Sequence, residues 1–165
     1  MNSRPKDDLP FSPVQRRYTG FSKYSDRILS GLSSYASLEA DVSKGELEAL
    51  LPALEPGTKS KGDANKAVPP SEVRSLARVL GLFANTALQS ENESTSQYNL
   101  LARHLVNEYY FCLDDLAIAA KDGDREAAIV AWRAGREYPN ADLGLANPTI
   151  NSRVGTPLAS LCTPT

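Results

Sequence analysis

The 165 residues, 41% of them hydrophobic and 23% charged, suffice for one domain with a real core and are short for two. Eighteen Lys and Arg against 20 Asp and Glu leave a formal charge of -2, without the strong basic field that general nucleic-acid binding requires, so nucleic acid is not an expected partner. No apolar run approaches the roughly 20 residues that span a bilayer, and the opening "MNSRPKDDLPFSP" lacks the apolar centre of a secretory signal, so a soluble chain, or a mature form of one, is expected.

In chain order, residues 1–20 carry Pro5, Pro10 and Pro13, little to bury and the basic cluster "QRRYTG", which predicts an extended arm. Phe21, Tyr24, Ile28, Leu32 and Tyr35 then recur every three or four residues and predict a first helix over about 22–38. A shorter element is expected from Ser43, whose hydroxyl and Glu46 have the spacing of a capping box, with Pro52 ending or kinking it. The stretch "EPGTKSKGDANKAVPP", residues 55–70, has almost nothing to bury and reads as a mobile connection.

Ser71 is placed to cap a second long helix to about Ser90, with Val73, Leu76, Leu80, Phe83, Ala84, Ala87 and Leu88 as its apolar face. After "ENESTS", the positions Tyr98, Leu101, Leu105, Tyr109, Cys112, Leu116 and Ala119 predict a third helix over about 96–122. Gly123 supplies a left-handed stop, Asp124 the next cap and Glu126 a favourable first-turn charge for a fourth helix. That helix carries Ala127, Ala128, Ala131, Trp132 and Tyr138 and is expected to stop at Pro139. Pro148, Pro157 and Pro164 predict an irregular, extended tail over 139–165.

Short links make neighbouring helices antiparallel, and amphipathic stripes must cover one another. The expected fold is therefore all-α: an up-and-down four-helix bundle over 21–138, between an extended arm and an extended tail, with no alternating pattern to support a sheet.

Tests for chemistry return little. An EF-hand loop with Gly123 at its sixth position would need ligands from Ile118, Ala120 and Ile129, which have none to offer, so the surrounding aspartates read as caps. "GTKSKGDA" has Asp63 and Ala64 where a phosphate loop needs Lys and a hydroxyl. The single histidine, His104, excludes a di-iron bundle site and reads as a surface partner of Glu108. No G-x-S-x-G turn is present. The two cysteines, Cys112 and Cys162, build neither a disulfide framework nor a zinc cluster, though a single bridge between them stays open. Within "NEYYFCLDDL", one face reads as core, while Tyr110 and Phe111 are left to meet another helix or a partner. Neither catalysis nor a cofactor is expected.

What remains are the ends and the loop. Lys59, Lys61 and Lys66 read as a solvated face. Arg16, Arg17, Tyr18, Phe21, Lys23 and Arg27 combine arginine with aromatics, the composition of anchors that order on a partner, and are the candidate partner-binding residues.

The run "LDDLAIAAKDGDREAAIVAW" resembles the closing helices of the PsbQ family, including its relatives in algae with red-lineage plastids, and the likeness extends over residues 71–138. The resemblance implies a four-helix bundle in the chloroplast thylakoid lumen, a non-catalytic extrinsic subunit peripheral to the membrane through protein contacts. Its partners would be the photosystem II core and other extrinsic proteins, and its role the stabilisation of the oxygen-evolving complex with its calcium and chloride. An N-terminal docking arm would correspond to "VQRRYTGFSKY" by position. The proline-bearing tail and the lack of a transit peptide depart from the plant pattern. They leave open an adaptor or linker bundle that binds an antenna or regulatory protein. An enzyme would instead need a polar pocket built from Tyr, Asp and His104.

Overall fold

The structure, a computed structural model, describes residues 12–58, 67–89 and 95–159. Among them it is all-α: α1 (Pro13–Lys44), the short α2 (Leu50–Ala53), α3 (Glu72–Ala87), α4 (Gln97–Asp122) and α5 (Arg125–Ala146), with single 3-10 turns at Leu47–Ala49 and Asn147–Thr149. Helix α4 packs most extensively on α5 and α1 on α3, while α3 also meets α4 and α1 also meets α5.

The helix starts follow from local chemistry. Ser71 accepts from the Arg74 amide, Ser96 from Asn99 and Asp124 from Ala127, each satisfying an amide that has no partner inside its own helix. Gly123, at φ +71°, closes α4 in the left-handed conformation, so Asp122 ends one helix and Arg125 begins the next. The acidic residues around this turn are punctuation for two antiparallel helices.

The structure departs from the expected elements at several points. The arm over 1–20 is not extended throughout: residues 1–11 lie outside the described residues, but α1 begins at Pro13. Proline at the first helical position loses no bond and has its φ already set, and Ser12 caps the turn by accepting from Gln15 N at 3.2 Å. The apolar stripe then continues through Leu38 and Val42, carrying α1 past the expected end to a left-handed Gly45. Ser43 consequently caps nothing; it lies in the last turn of α1, where its carbonyl accepts from Arg125 Nη2.

The expected mobile connection is pinned at both ends. Thr58 N donates to Val68 O at 2.9 Å and Ser71 N to Glu55 O at 3.0 Å, while 59–66, with Lys59, Lys61 and Lys66, lie outside the described residues.

Pro139 does not end the last helix. It is buried inside α5, which continues to Ala146 because Asp142, Leu143 and Ala146 keep facing the interior. Nor do residues 147–159 extend into solvent as the expected tail, of which 160–165 lie outside the described residues. Ile150, Val154 and Leu158 are buried, and the Asn147 side chain holds the Leu158 backbone through its amide and carbonyl, both at 2.9 Å.

The buried face of α4 is rotated from the expected one. Asn99, Ala102, Val106, Tyr109, Leu113 and Leu116 face inward, whereas Tyr98 and Leu101 are 62% and 44% exposed. Every third or fourth residue fits two overlapping stripes, and packing selects between them.

The centre is filled by aromatic rings. Tyr35 stacks on Trp132 at 5.9 Å and meets Tyr109 edge-on at 5.5 Å. Tyr35 donates to the Trp132 carbonyl at 2.6 Å, the Trp132 indole donates to the Tyr35 carbonyl at 3.3 Å, and Tyr109 donates to the Val73 carbonyl at 3.1 Å. All three polar ends are thus satisfied, and burial raises the pKa of both phenols well above the ordinary range.

Candidate partner-binding surface

The six candidate residues all fall on the first half of α1. At about 100° per residue, Lys23 and Arg27 lie within about 20° of Arg16, so three cations form one row along the helix. The row lies beside α3, which approaches closely because residue 20 is glycine: a Cβ there would come within 2.0 Å of Thr86 Oγ1. Beside that contact runs a shallow open groove of about 270 Å³, lined by Gln15, Arg16, Thr19, Lys23, Tyr24 and Thr86.

The other candidates have different work. Arg17 donates through Nε to the Ala87 carbonyl at 3.2 Å, a positive charge against the carboxyl end of α3. Phe21 is half-buried beneath the C-terminal segment, so close to Gly155 that a Cβ there would meet its ring at 2.4 Å. It packs against that segment. Tyr18 is half-buried and lines a second shallow depression with Gln15, Thr19, Ser22 and Lys23. Lys23 lies 5.3 Å from the centre of the Tyr24 ring, and both it and Arg27 are exposed. Arg16, Lys23 and Arg27 thus share one line along α1, while Arg17 and Phe21 make contacts within the molecule.

Further along the same side, Glu72 of α3 accepts from the hydroxyls of Ser30 and Ser34, and these bonds hold its carboxyl below its ordinary pKa. This acid is already engaged and limits the basic row at its far end.

Two polar features escaped the sequence reading. Arg74 is buried, donating through Nε to the Leu54 carbonyl at 2.7 Å and through Nη1 to Asp114 at 2.6 Å, which ties α2, α3 and α4 together. Asp142 of α5 is 1% exposed, with no hydrogen bond to either carboxyl oxygen, and burial pushes its pKa up to about 7. No motif marks either of them; each is defined by what the chain brings near from elsewhere.

His104 stands on the outer face of α4, its side chain 63% exposed and 3.7 Å from Glu108. It therefore does not join buried Tyr and Asp groups in a common pocket. Among the described residues, no three His, Cys, Asp or Glu side chains are grouped so as to hold a metal ion, and no helix is long and apolar enough to cross a membrane. Cys112 is a half-buried free thiol whose pKa is raised by burial and then by Asp115 and Glu108; Cys162 lies outside the described residues. The chain matches no protein-family model, no curated protein and no solved structure.

Proposed function

We propose that the chain is a non-catalytic extrinsic subunit, an up-and-down four-helix bundle of the PsbQ kind. It docks on the lumenal side of photosystem II and supports calcium and chloride retention at the oxygen-evolving complex. The observation that carries the docking reading is the row Arg16, Lys23 and Arg27 on α1, set beside a shallow groove in a molecule whose centre is filled by Tyr35, Tyr109 and Trp132. A filled core leaves recognition to the surface, and a row of cations fits an acidic protein face. The bundle reading is supported by the succession of helix contacts from α1 to α3, α3 to α4, α4 to α5 and α5 back to α1. The choice of photosystem II as the assembly rests on the resemblance of residues 71–138.

The test is rebinding to photosystem II membranes stripped of extrinsic proteins by salt. The full chain should rebind and raise oxygen evolution at limiting calcium and chloride. Rebinding should weaken with salt as the screening length falls from about 10 Å at 0.1 M to about 3 Å at 1 M. Lys23→Glu with Arg27→Glu, both at exposed positions, should lower rebinding at least about tenfold with unchanged helicity. Equal rebinding by this variant would refute the basic row as the docking surface. Failure of the unaltered chain to bind would refute photosystem II as the partner.

A further inference from the structure

Helix α4 carries a second apolar ridge. Leu100, Phe111 and Ile118 are 57%, 61% and 57% exposed, and at about 100° per residue they fall within about 20° of one line along the helix. The buried residues of the same helix, among them Ala102, Tyr109, Leu113 and Leu116, centre on the opposite side. The ridge therefore points directly away from the core, where an amphipathic helix ordinarily presents charge, and runs for about 27 Å.

Its flanks carry polar side chains in a definite order. Arg103 and His104 stand in the amino-terminal half, Asp114 and Asp115 in the carboxyl-terminal half, and all four are exposed. By the same angular rule, Arg103 and Asp114 lie on one flank of the ridge, and His104 and Asp115 on the other. A two-fold axis crossing α4 near residue 109 lays the ridge on a copy of itself running the opposite way. Leu100 then covers Ile118 of the second copy and Phe111 fills the space over Asn107. On one flank Arg103 meets the opposite charge of Asp114, and on the other His104, a hydrogen-bond donor, faces Asp115. A parallel two-fold arrangement would bring Arg103 against His104 and Asp114 against Asp115.

We propose that the outer face of α4 is a self-association surface that takes a second copy of this chain, antiparallel and two-fold symmetric. Such an interface must be complementary to itself, and an apolar line with opposite charges at mirrored distances from its midpoint meets that condition. Asp114 already accepts from Arg74 through Oδ1, yet its side chain is 57% exposed and can receive Arg103 of the copy as well. A formal charge of -2 sets little repulsion between two molecules. One helix face is small for a permanent interface, so the association is concentration-dependent.

Sedimentation of the full chain over micromolar to millimolar concentrations tests this. The mass should rise from that of the 17.8 kDa chain toward twice that value and no further. Phe111→Glu should weaken the association at least about tenfold with helicity unchanged in circular dichroism. His104→Glu should weaken it by placing acid against Asp115, and adding Asp115→Lys should restore it. The two positions are 11 residues apart on one helix, so a restoring effect arises between copies. A chain monomeric at every concentration would overturn the proposal. So would association that Phe111→Glu leaves unchanged, or a double variant that recovers nothing lost by His104→Glu.

Discussion

Asp142→Asn should make the protein more stable, and only above mildly acidic pH. The buried carboxyl has a pKa of about 7 in the folded chain against 3.8 as its ordinary value. The folded state therefore prefers the protonated form. Below about pH 4 both states hold the proton and the group has no net effect. As pH rises, the unfolded chain releases its proton first, so stability falls between about pH 4 and pH 7 and is level beyond. A difference of roughly 3 pKa units at about 1.4 kcal/mol each gives a loss of about 4 kcal/mol above pH 7, an upper bound if water reaches the site. Asparagine keeps the shape and cannot ionise. Urea unfolding of both chains at about pH 4 and about pH 8 should show near-equal stability at the lower value, and an advantage of roughly 2–4 kcal/mol for Asp142→Asn at the higher. Other carboxylates titrate equally in both chains and cancel in the comparison. An advantage of the same size at both values, or none at either, would show that the Asp142 charge is not the cause.

Gly20→Ala should cost about 1–3 kcal/mol, because the new methyl would meet Thr86 within 2.0 Å and force α1 from α3; a lowered thermal midpoint measures it. Gly123→Ala should cost only about 1 kcal/mol, since nothing lies within 4 Å and the penalty is the left-handed backbone alone, again read from urea unfolding. Asp114→Ala should cost about 1–3 kcal/mol by leaving the buried Arg74 guanidinium with one bond fewer, and a joint change with Arg74→Met should recover part of the loss in a double-mutant cycle.

The parts that were legible in the residues are those decided within a few positions. Ser71, Gly123 and Asp124 act on amides or carbonyls no more than four residues away, and their chemistry is readable at that range. Prolines were misread where composition stood in for position: Pro13 begins a helix and Pro139 is carried within one. The inward face of α4 was misassigned because Tyr98 and Leu101 continue one admissible stripe while α3 and α5 cover the other. Of the candidate surface, the cations Arg16, Lys23 and Arg27 were visible as composition, but their alignment required α1 to start at Pro13. The roles of Arg17 and Phe21 depend on Ala87 and Gly155, far along the chain, and no local pattern records such partners. Asp142 was silent for the same reason, since its pKa is set by what surrounds it.

Trp132 is the molecule's single tryptophan, and it lies flat against Tyr35 of another helix, its indole donating to the Tyr35 carbonyl and its own carbonyl accepting from the Tyr35 hydroxyl. Its emission is therefore a built-in optical gauge of the seam between α1 and α5. Parting of that seam would shift the light toward longer wavelengths before any loss of helix registered, so a loosened intermediate would be told from a melted chain by comparing colour with ellipticity.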